Sequence, residues 1–365
     1  MRFSFRNEMK VPRRVRAVKD TGRVVESRPF FHATVPLPPE SGFEQRPART
    51  MPMEVRGNSI KLLRWPTLLP GGIVIHEGGL HASTFRLDDF SQSTRYIRRR
   101  LRDGLPEYVL PKDWPKSTAR NAEAIFLDNE YVDEYGHFLL ETFSRLWPLL
   151  EDSSWAKLPI VTSAKNPARI NFFYSKLGLP SPEVIRLTEA TRLKRLWVFS
   201  QSFVLGKGFT PEAAPLYSRI ASLGKSSANN GPKKVYLTRR GLSTRTGRVL
   251  KNEEDLEGVF SKRGFAIIAP QELRLEQQIQ LYANCEFLAG QTGTGMYNRV
   301  FQPPDSRGLL LGASGYILNE HAYVREMMGL PQEIVVNGKS LHPEKHPQSA
   351  DWEISVDIVN ERLNS

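Results

Sequence analysis

From about residue 120 onward, short apolar runs alternate with segments whose apolar side chains recur every three to four residues. The run Ala124-Ile125-Phe126-Leu127 has no polar alternation, as expected of a strand buried on both faces. Between 137 and 150, Leu139, Leu140, Phe143, Leu146, Trp147 and Leu150 fall on one helical face, and His137, Glu141, Ser144 and Arg145 share the polar stripe opposite. Strands are predicted at 159–162, 184–187 and 196–199, with a helix near 169–177 between the first two. After a polar stretch the alternation restarts: a strand at 234–238, a helix opened by Asn252, a strand at 265–268, a helix at 275–283, and strands at 286–289 and 308–311. The acidic turn Glu253-Glu254-Asp255 suits the positive end of the Asn252 helix. Strand and helix in alternation predict parallel sheets covered on both faces.

The chain has 365 residues, which favours two domains. The small, polar segment 224–231 marks the junction. The expected organisation is a basic, Pro-rich arm without regular structure (1–55), an α/β domain (56–222), a linker (223–232), a second α/β domain (233–340) and a C-terminal tail with a helix (341–365).

Charge changes the picture at one end only. Residues 1–120 hold 23 Lys and Arg against 12 Asp and Glu, so nearly all of the net charge of +12 lies there. Such a surface suits an anionic partner, whether membrane, nucleic acid or acidic polymer, or simply solvates the chain. The aromatic and zinc-ligand motifs of nucleic-acid modules are missing, which makes nucleic acid the least favoured of these. A single cysteine, Cys285, excludes a disulfide framework and fits a reducing compartment. No apolar run is long enough for a membrane span, and the charged start does not read as a secretion signal, so the expected location is cytoplasmic.

Three groups of residues could carry chemistry. The loop Gly290-Gln291-Thr292-Gly293-Thr294-Gly295 follows a predicted strand, where backbone amides and threonine hydroxyls could meet a phosphate. It lacks both the P-loop lysine and the dinucleotide spacing. Arg239, Arg240, Arg245 and Arg248 follow the strand at 234–238, and at the same sheet edge they could neutralise a diphosphate. On the helix at 137–150, Glu141 lies four residues after His137 and could orient it as a proton acceptor. Each group also has a plain structural reading, as a turn, as solvated loop cations or as a capped amphipathic helix. With no Asp-x-Asp triplet in the sequence, a divalent-metal clamp is not expected.

Taken in order, these segments resemble glycosyltransferase family 61. The similar stretches are Gly136-His137-Phe138-Leu139-Leu140-Glu141 with Arg145-Leu146, then Val235-Tyr236-Leu237-Thr238-Arg239-Arg240, then Arg245, Asn252 and Glu253. Pro270-Gln271-Glu272-Leu273, Glu276-Gln277-Gln278-Ile279, the segment from Gly290 to Asn298, Phe301 and Pro303-Pro304 complete them, so the resemblance spans about residues 70 to 312. It implies a GT-B-like fold, two doubly wound Rossmann-like α/β domains facing across a cleft. It also implies inverting, metal-independent transfer from a nucleotide-sugar, without a cofactor, to a hydroxyl of a surface polysaccharide or a lipid-linked precursor. A cytoplasmic enzyme of this kind could touch the anionic inner membrane face. The implied catalytic residues are His137, Glu141 and Asp133, with the base open among the three. The implied donor site is Arg239, Arg240, Arg245, Asn252, Glu253, Gly290, Thr292, Gly293, Thr294, Gly295 and Asn298. Thr292 stands where the family usually has His, Thr294 where it has Ala, and Asp305 where Gly commonly follows the proline. These departures keep a non-catalytic nucleotide- or glycan-binding protein open as an alternative, beside a basic binder of membranes or nucleic acid.

Overall fold

The computed structural model describes residues 8–9, 14–18, 23–27, 31–55, 58–81, 84, 97–102, 105–109, 117–225, 231–242, 248–313 and 316–364. The chain divides into two compact units. One holds 1–31 and 54–216, the other 32–53 and 217–365.

The first unit is built on a mixed sheet in which thirteen described strands take part. Its parallel portion runs in the order Thr191–Phe199, Ser117–Phe126, Ile160–Thr162, Val184–Arg186, with Ile125 opposite both Ile160 and Trp197. The helix Ala168–Lys176 connects the last two strands of that order. Leu63, Leu68, Val74, Phe126, Val161, Leu193, Leu196 and Val198 pack into one buried cluster on this sheet. The other half is mainly antiparallel: Ser59–Arg64 pairs with Thr191–Phe199 and Ile73–His76 with Gly79–His81, while Gly79–His81 runs parallel to Arg14–Val18 on its other side. This unit is therefore mixed α/β, where a doubly wound parallel sheet was expected, because strands from before residue 110 extend the sheet largely as antiparallel pairs, without covering helices among the described residues.

The second unit comes closer to expectation. Ala266–Ile268, Lys234–Leu237, Phe287–Gln291, Arg307–Ala313 and Ile334–Ser340 lie side by side, all parallel. In chain order this is 2-1-3-4-5, a doubly wound arrangement with its reversal between the first and third strands. Phe287–Gln291 is buried at every position, as a central parallel strand must be. Tyr236, Leu256, Phe260, Phe265, Phe287, Leu309, Val336, Trp352 and Val359 fill its core, with the Tyr236 and Phe260 rings stacked at 4.3 Å. The helix Leu275–Asn284 is held at its start by Gln277, whose Oε1 accepts from the Arg274 amide at 3.0 Å.

One expectation about the chain ends is corrected. The arm is strand-forming: Arg14–Val18, Arg23–Ser27, Phe31–Leu37, Glu40–Gly42 and Arg49–Val55 are strands. Glu40–Gly42 adds a parallel strand to Val335–Asn337 of the second unit. Ser41 Oγ donates to the Val335 carbonyl at 3.1 Å, Asn337 Nδ2 donates to Glu40, and Arg325 donates to the Pro36 carbonyl. Arg325 also shares the buried Glu333 carboxylate with Arg299, so the strap rests on a desolvated ion network rather than a solvated surface. The C-terminal segment carries the expected helix, at Val356–Arg362, and it supplies Trp352 and Val359 to the core. Proline and charge obscured the strap because an edge strand tolerates both. The division between units falls at 216/217, inside the helix Ala214–Gly224, rather than in the polar segment, of which 226–230 lie outside the described residues.

Candidate functional site

In the second unit the candidate residues gather at the carboxyl ends of Lys234–Leu237 and Phe287–Gln291, the point where strand order reverses. Open parallel sheets bind ligands at such a reversal, because the connections leave in opposite directions and open a crevice. Arg239 follows the first strand, and the glycine loop follows the other. Gly293 has φ +136°, in the range that favours glycine. A Cβ there would lie 3.3 Å from Arg248 Nη2 and 3.6 Å from Arg239 Nη1, so both guanidiniums converge on the bare Cα. Burial first, and then the Arg248 charge, lower the pKa of Arg239. Arg248 is aimed by two contacts: Nη2 donates to the Thr292 carbonyl at 3.1 Å, and its guanidinium packs on the Tyr316 ring at 4.8 Å.

Other expected donor residues do different work. Arg240 lies in the turn that follows the strand, where the Leu242 amide donates to the Arg239 carbonyl at 3.0 Å, and its Nη2 lies 2.5 Å from Glu257. The Asn252 side chain makes no cap hydrogen bond; it pairs with the Ile354 backbone, donating at 2.8 Å and accepting at 3.2 Å. Buried Glu253 accepts from Tyr236 Oη, the Arg239 amide and Gln291 Nε2, tying the two strand ends together beneath Arg239. Gly290 is a packing glycine, since a Cβ would come within 3.0 Å of Met296 Sδ. Gly295 and Asn298 close the next turn, Asn298 Nδ2 donating to the Gly295 carbonyl, while Thr294 is exposed. Arg245 lies outside the described residues.

The loop amides expected to face an anion are partly committed elsewhere. The Thr292 amide donates to the Leu311 carbonyl at 2.7 Å, and the Gly293 amide donates to His321 Nε2 at 3.2 Å. Arginine side chains, more than loop amides, define this site. His321 and Tyr316 were invisible to motif reasoning, because they follow the next strand and approach the loop only in three dimensions.

In the first unit, His137 and Glu141 meet as expected: Nδ1 lies 2.7 Å from Oε2, with His137 23% exposed and Glu141 fully buried. The Glu141 carboxylate also accepts from Asn129 Nδ2 at 3.2 Å and from the Leu205 amide at 3.3 Å. With that carboxylate on Nδ1, the imidazole carries its proton there and presents Nε2 as the acceptor. The ring stacks on Tyr131 at 4.6 Å. The helix is irregular: a π-helical turn at Phe138–Thr142 is followed by a 3-10 turn at Phe143–Leu146. That shift buries the expected solvent stripe, with Ser144 and Arg145 fully enclosed. Arg145 donates to the Phe199 carbonyl at 2.7 Å and to Gln201 Oε1 at 3.1 Å. Asp133 is exposed, its Oδ1 accepting from the Lys165 amide at 2.8 Å. Beside the dyad lies buried Asp128, which accepts from Ser163 Oγ, the Asn129 amide and the Gly72 amide. Burial pushes its carboxyl up to about 7 despite those donors.

Among the described residues no group of three or more His, Cys, Asp or Glu is placed to hold a metal ion, and no helix is long and apolar enough to cross a membrane. No curated protein matches the chain. The family model described as Glycosyltransferase 61 matches residues 135–309, a span that begins just before His137 and ends beyond the glycine loop, so over that span the chain is similar to that family.

Proposed function

We propose that the protein transfers a sugar from a nucleotide-sugar to an acceptor hydroxyl, with the leaving diphosphate held by Arg239 and Arg248 over Gly293. The family supports a glycosyltransferase, with a sugar donor and a glycan acceptor in general terms. The observation that carries the finer reading is the convergence of two guanidiniums on a bare Cα at the reversal of strand order. Two like charges held together there repel one another, and a dianion relieves that repulsion while accepting from both forks.

In this reading the division of labour is that of a GT-B enzyme, with acceptor chemistry in the first unit and donor binding in the second. The acceptor oxygen attacks the anomeric carbon as the bond to the diphosphate oxygen breaks. The hydroxyl proton passes to His137 Nε2, the electron pair leaves with the diphosphate, and configuration inverts. Glu141 keeps the imidazole in the tautomer that can accept, and stabilises the imidazolium that forms. Arginine stabilises the growing negative charge on the leaving group, so the reading needs no metal ion. The acceptor class we assign is a surface polysaccharide or its lipid-linked precursor, met at the cytoplasmic face of the membrane.

The test is titration of the purified chain with pyrophosphate and with a panel of nucleoside diphosphates, followed by assay of the tightest donor class for transfer or slow hydrolysis. Micromolar binding with turnover supports the proposal. Binding without turnover under any acceptor supports the non-catalytic alternative, and no binding of any diphosphate removes both.

A further inference from the structure

The peptide unit joining Thr292 to Gly293 is gripped at both ends. Its carbonyl accepts from Arg248 Nη2 at 3.1 Å, and its N–H donates to His321 Nε2 at 3.2 Å. The Thr292 side chain is held as well. Its hydroxyl lies 3.0 Å from the same Nε2 and accepts from the Leu318 amide at 3.2 Å. Since Nε2 accepts from a backbone N–H, it carries no proton, and the hydroxyl must be the donor in its contact with the ring. His321 comes from the helix Glu320–Met328, is 2% exposed and packs at 5.2 Å from the Tyr297 ring.

We infer that His321 is a positioning residue: by holding the Gly293 N–H it sets the plane of the 292–293 peptide, and through that peptide's carbonyl it aims Arg248 at the diphosphate position. The inference rests on the donor site proposed above, and adds a residue that touches neither donor nor acceptor. Turning the peptide over would present an N–H to the Arg248 guanidinium in place of a carbonyl, and Arg248 would lose the contact that directs it. Three further observations bear on this. The imidazole is kept neutral, its pKa pushed down to about 3 by burial and by the charges of Arg299 and Arg248, so Nε2 remains an acceptor at any ordinary pH. His321 Nδ1 is buried with no hydrogen-bond partner among the described residues. An apolar side chain would fill the same space without that penalty, so the position is explained by what Nε2 does. Lastly, the two residues that Nε2 contacts are those flanking the peptide bond that aims Arg248.

The experiment compares His321→Leu, which removes the acceptor, with His321→Gln, whose amide oxygen can accept where Nε2 does, each in wild-type and Arg248→Ala backgrounds of the full chain. Two measurements are made: hydrogen exchange of the Gly293 amide without ligand, and pyrophosphate affinity by calorimetry at fixed salt. His321→Leu is expected to speed Gly293 exchange and to weaken pyrophosphate about tenfold, the size of one lost contact to a charged group. His321→Gln restores both. In the Arg248→Ala background His321→Leu adds no further loss, which a merely structural role would not produce. Equal weakening in both backgrounds, or unchanged Gly293 exchange, overturns the inference. Should His321→Leu not fold, His321→Asn, too short to reach Gly293, takes its place. If wild-type protein fails to bind pyrophosphate, the donor-site reading falls on its own account. The positioning role is then read from the side-chain NMR signals of Arg248, which move in His321→Leu if the peptide turns and overturn the inference if they stay.

Discussion

The hydroxyl of Thr292 and Nε2 of His321 lie 3.0 Å apart, although 29 residues separate them in the chain. Thr292 occupies a position where the resembling family usually carries an imidazole. The fold brings one to the same turn from the helix beyond the next strand. The contact is fully desolvated, with Thr292 at 1% and His321 at 2% exposure, so it fixes the turn more firmly than a solvated pair would.

Arg239 and Arg248 should matter for diphosphate binding where Arg240 does not. Arg239→Ala or Arg248→Ala is expected to weaken pyrophosphate by roughly 10- to 100-fold, the range for losing a hydrogen bond to a charged group. Arg240→Ala, which breaks an ion pair with Glu257, should change affinity less than about twofold. Calorimetry on the three variants decides the matter, and equal losses would remove the convergent site.

His137→Ala should leave diphosphate affinity unchanged and lower transfer by about 10² to 10⁴, the usual contribution of a positioned base. Glu141→Gln should lower transfer as well, because Nδ1 would lose the carboxylate that fixes its proton. Single-turnover rates at saturating donor separate the two effects. A loss of donor affinity in His137→Ala would contradict the assignment of acceptor chemistry to this residue.

Asp128 should make stability fall as pH rises through neutrality. Its carboxyl titrates at about 7 in the folded chain, against ~3.9 when unfolded, so the folded state holds the extra proton between those values. The stabilisation is complete below the unfolded value and is lost as pH climbs through the folded one. Denaturant midpoints for wild type and Asp128→Asn, compared at about pH 5 and pH 8, read the difference. A wild type whose stability relative to the variant rises over that interval would rule out a protonated Asp128.

Gly42→Ala should loosen the strap strand from the second unit. Gly42 has φ +118°, and a Cβ would fall 2.2 Å from the Asn337 carbonyl oxygen, in a strand pair that cannot part locally without losing its ladder. The expected cost is ~1–3 kcal/mol. Faster amide exchange across residues 335–337 with a lower denaturant midpoint is the expected result, and unchanged values would mean that the strap is dispensable.

The sequence by itself determined what repeats locally. The parallel strands and helices of the second unit follow from apolar period and turn residues, and the His137–Glu141 contact follows from helical spacing, where four residues place side chains one turn apart. Tertiary structure decided the rest. Whether Arg239 or Arg240 reaches the glycine loop depends on the turn after the strand and on Glu257, which claims Arg240. Asn252 reads as a cap until Ile354, 102 residues later, occupies its amide. The strap is a strand only because Val335–Asn337 offers it an edge. His321 and Tyr316 enter the site because parallel strands bring the loops at their carboxyl ends together, whatever the distance along the chain. Local periodicity encodes which face is buried, whereas partners across a fold are set by strand order and register, which a single sequence does not display.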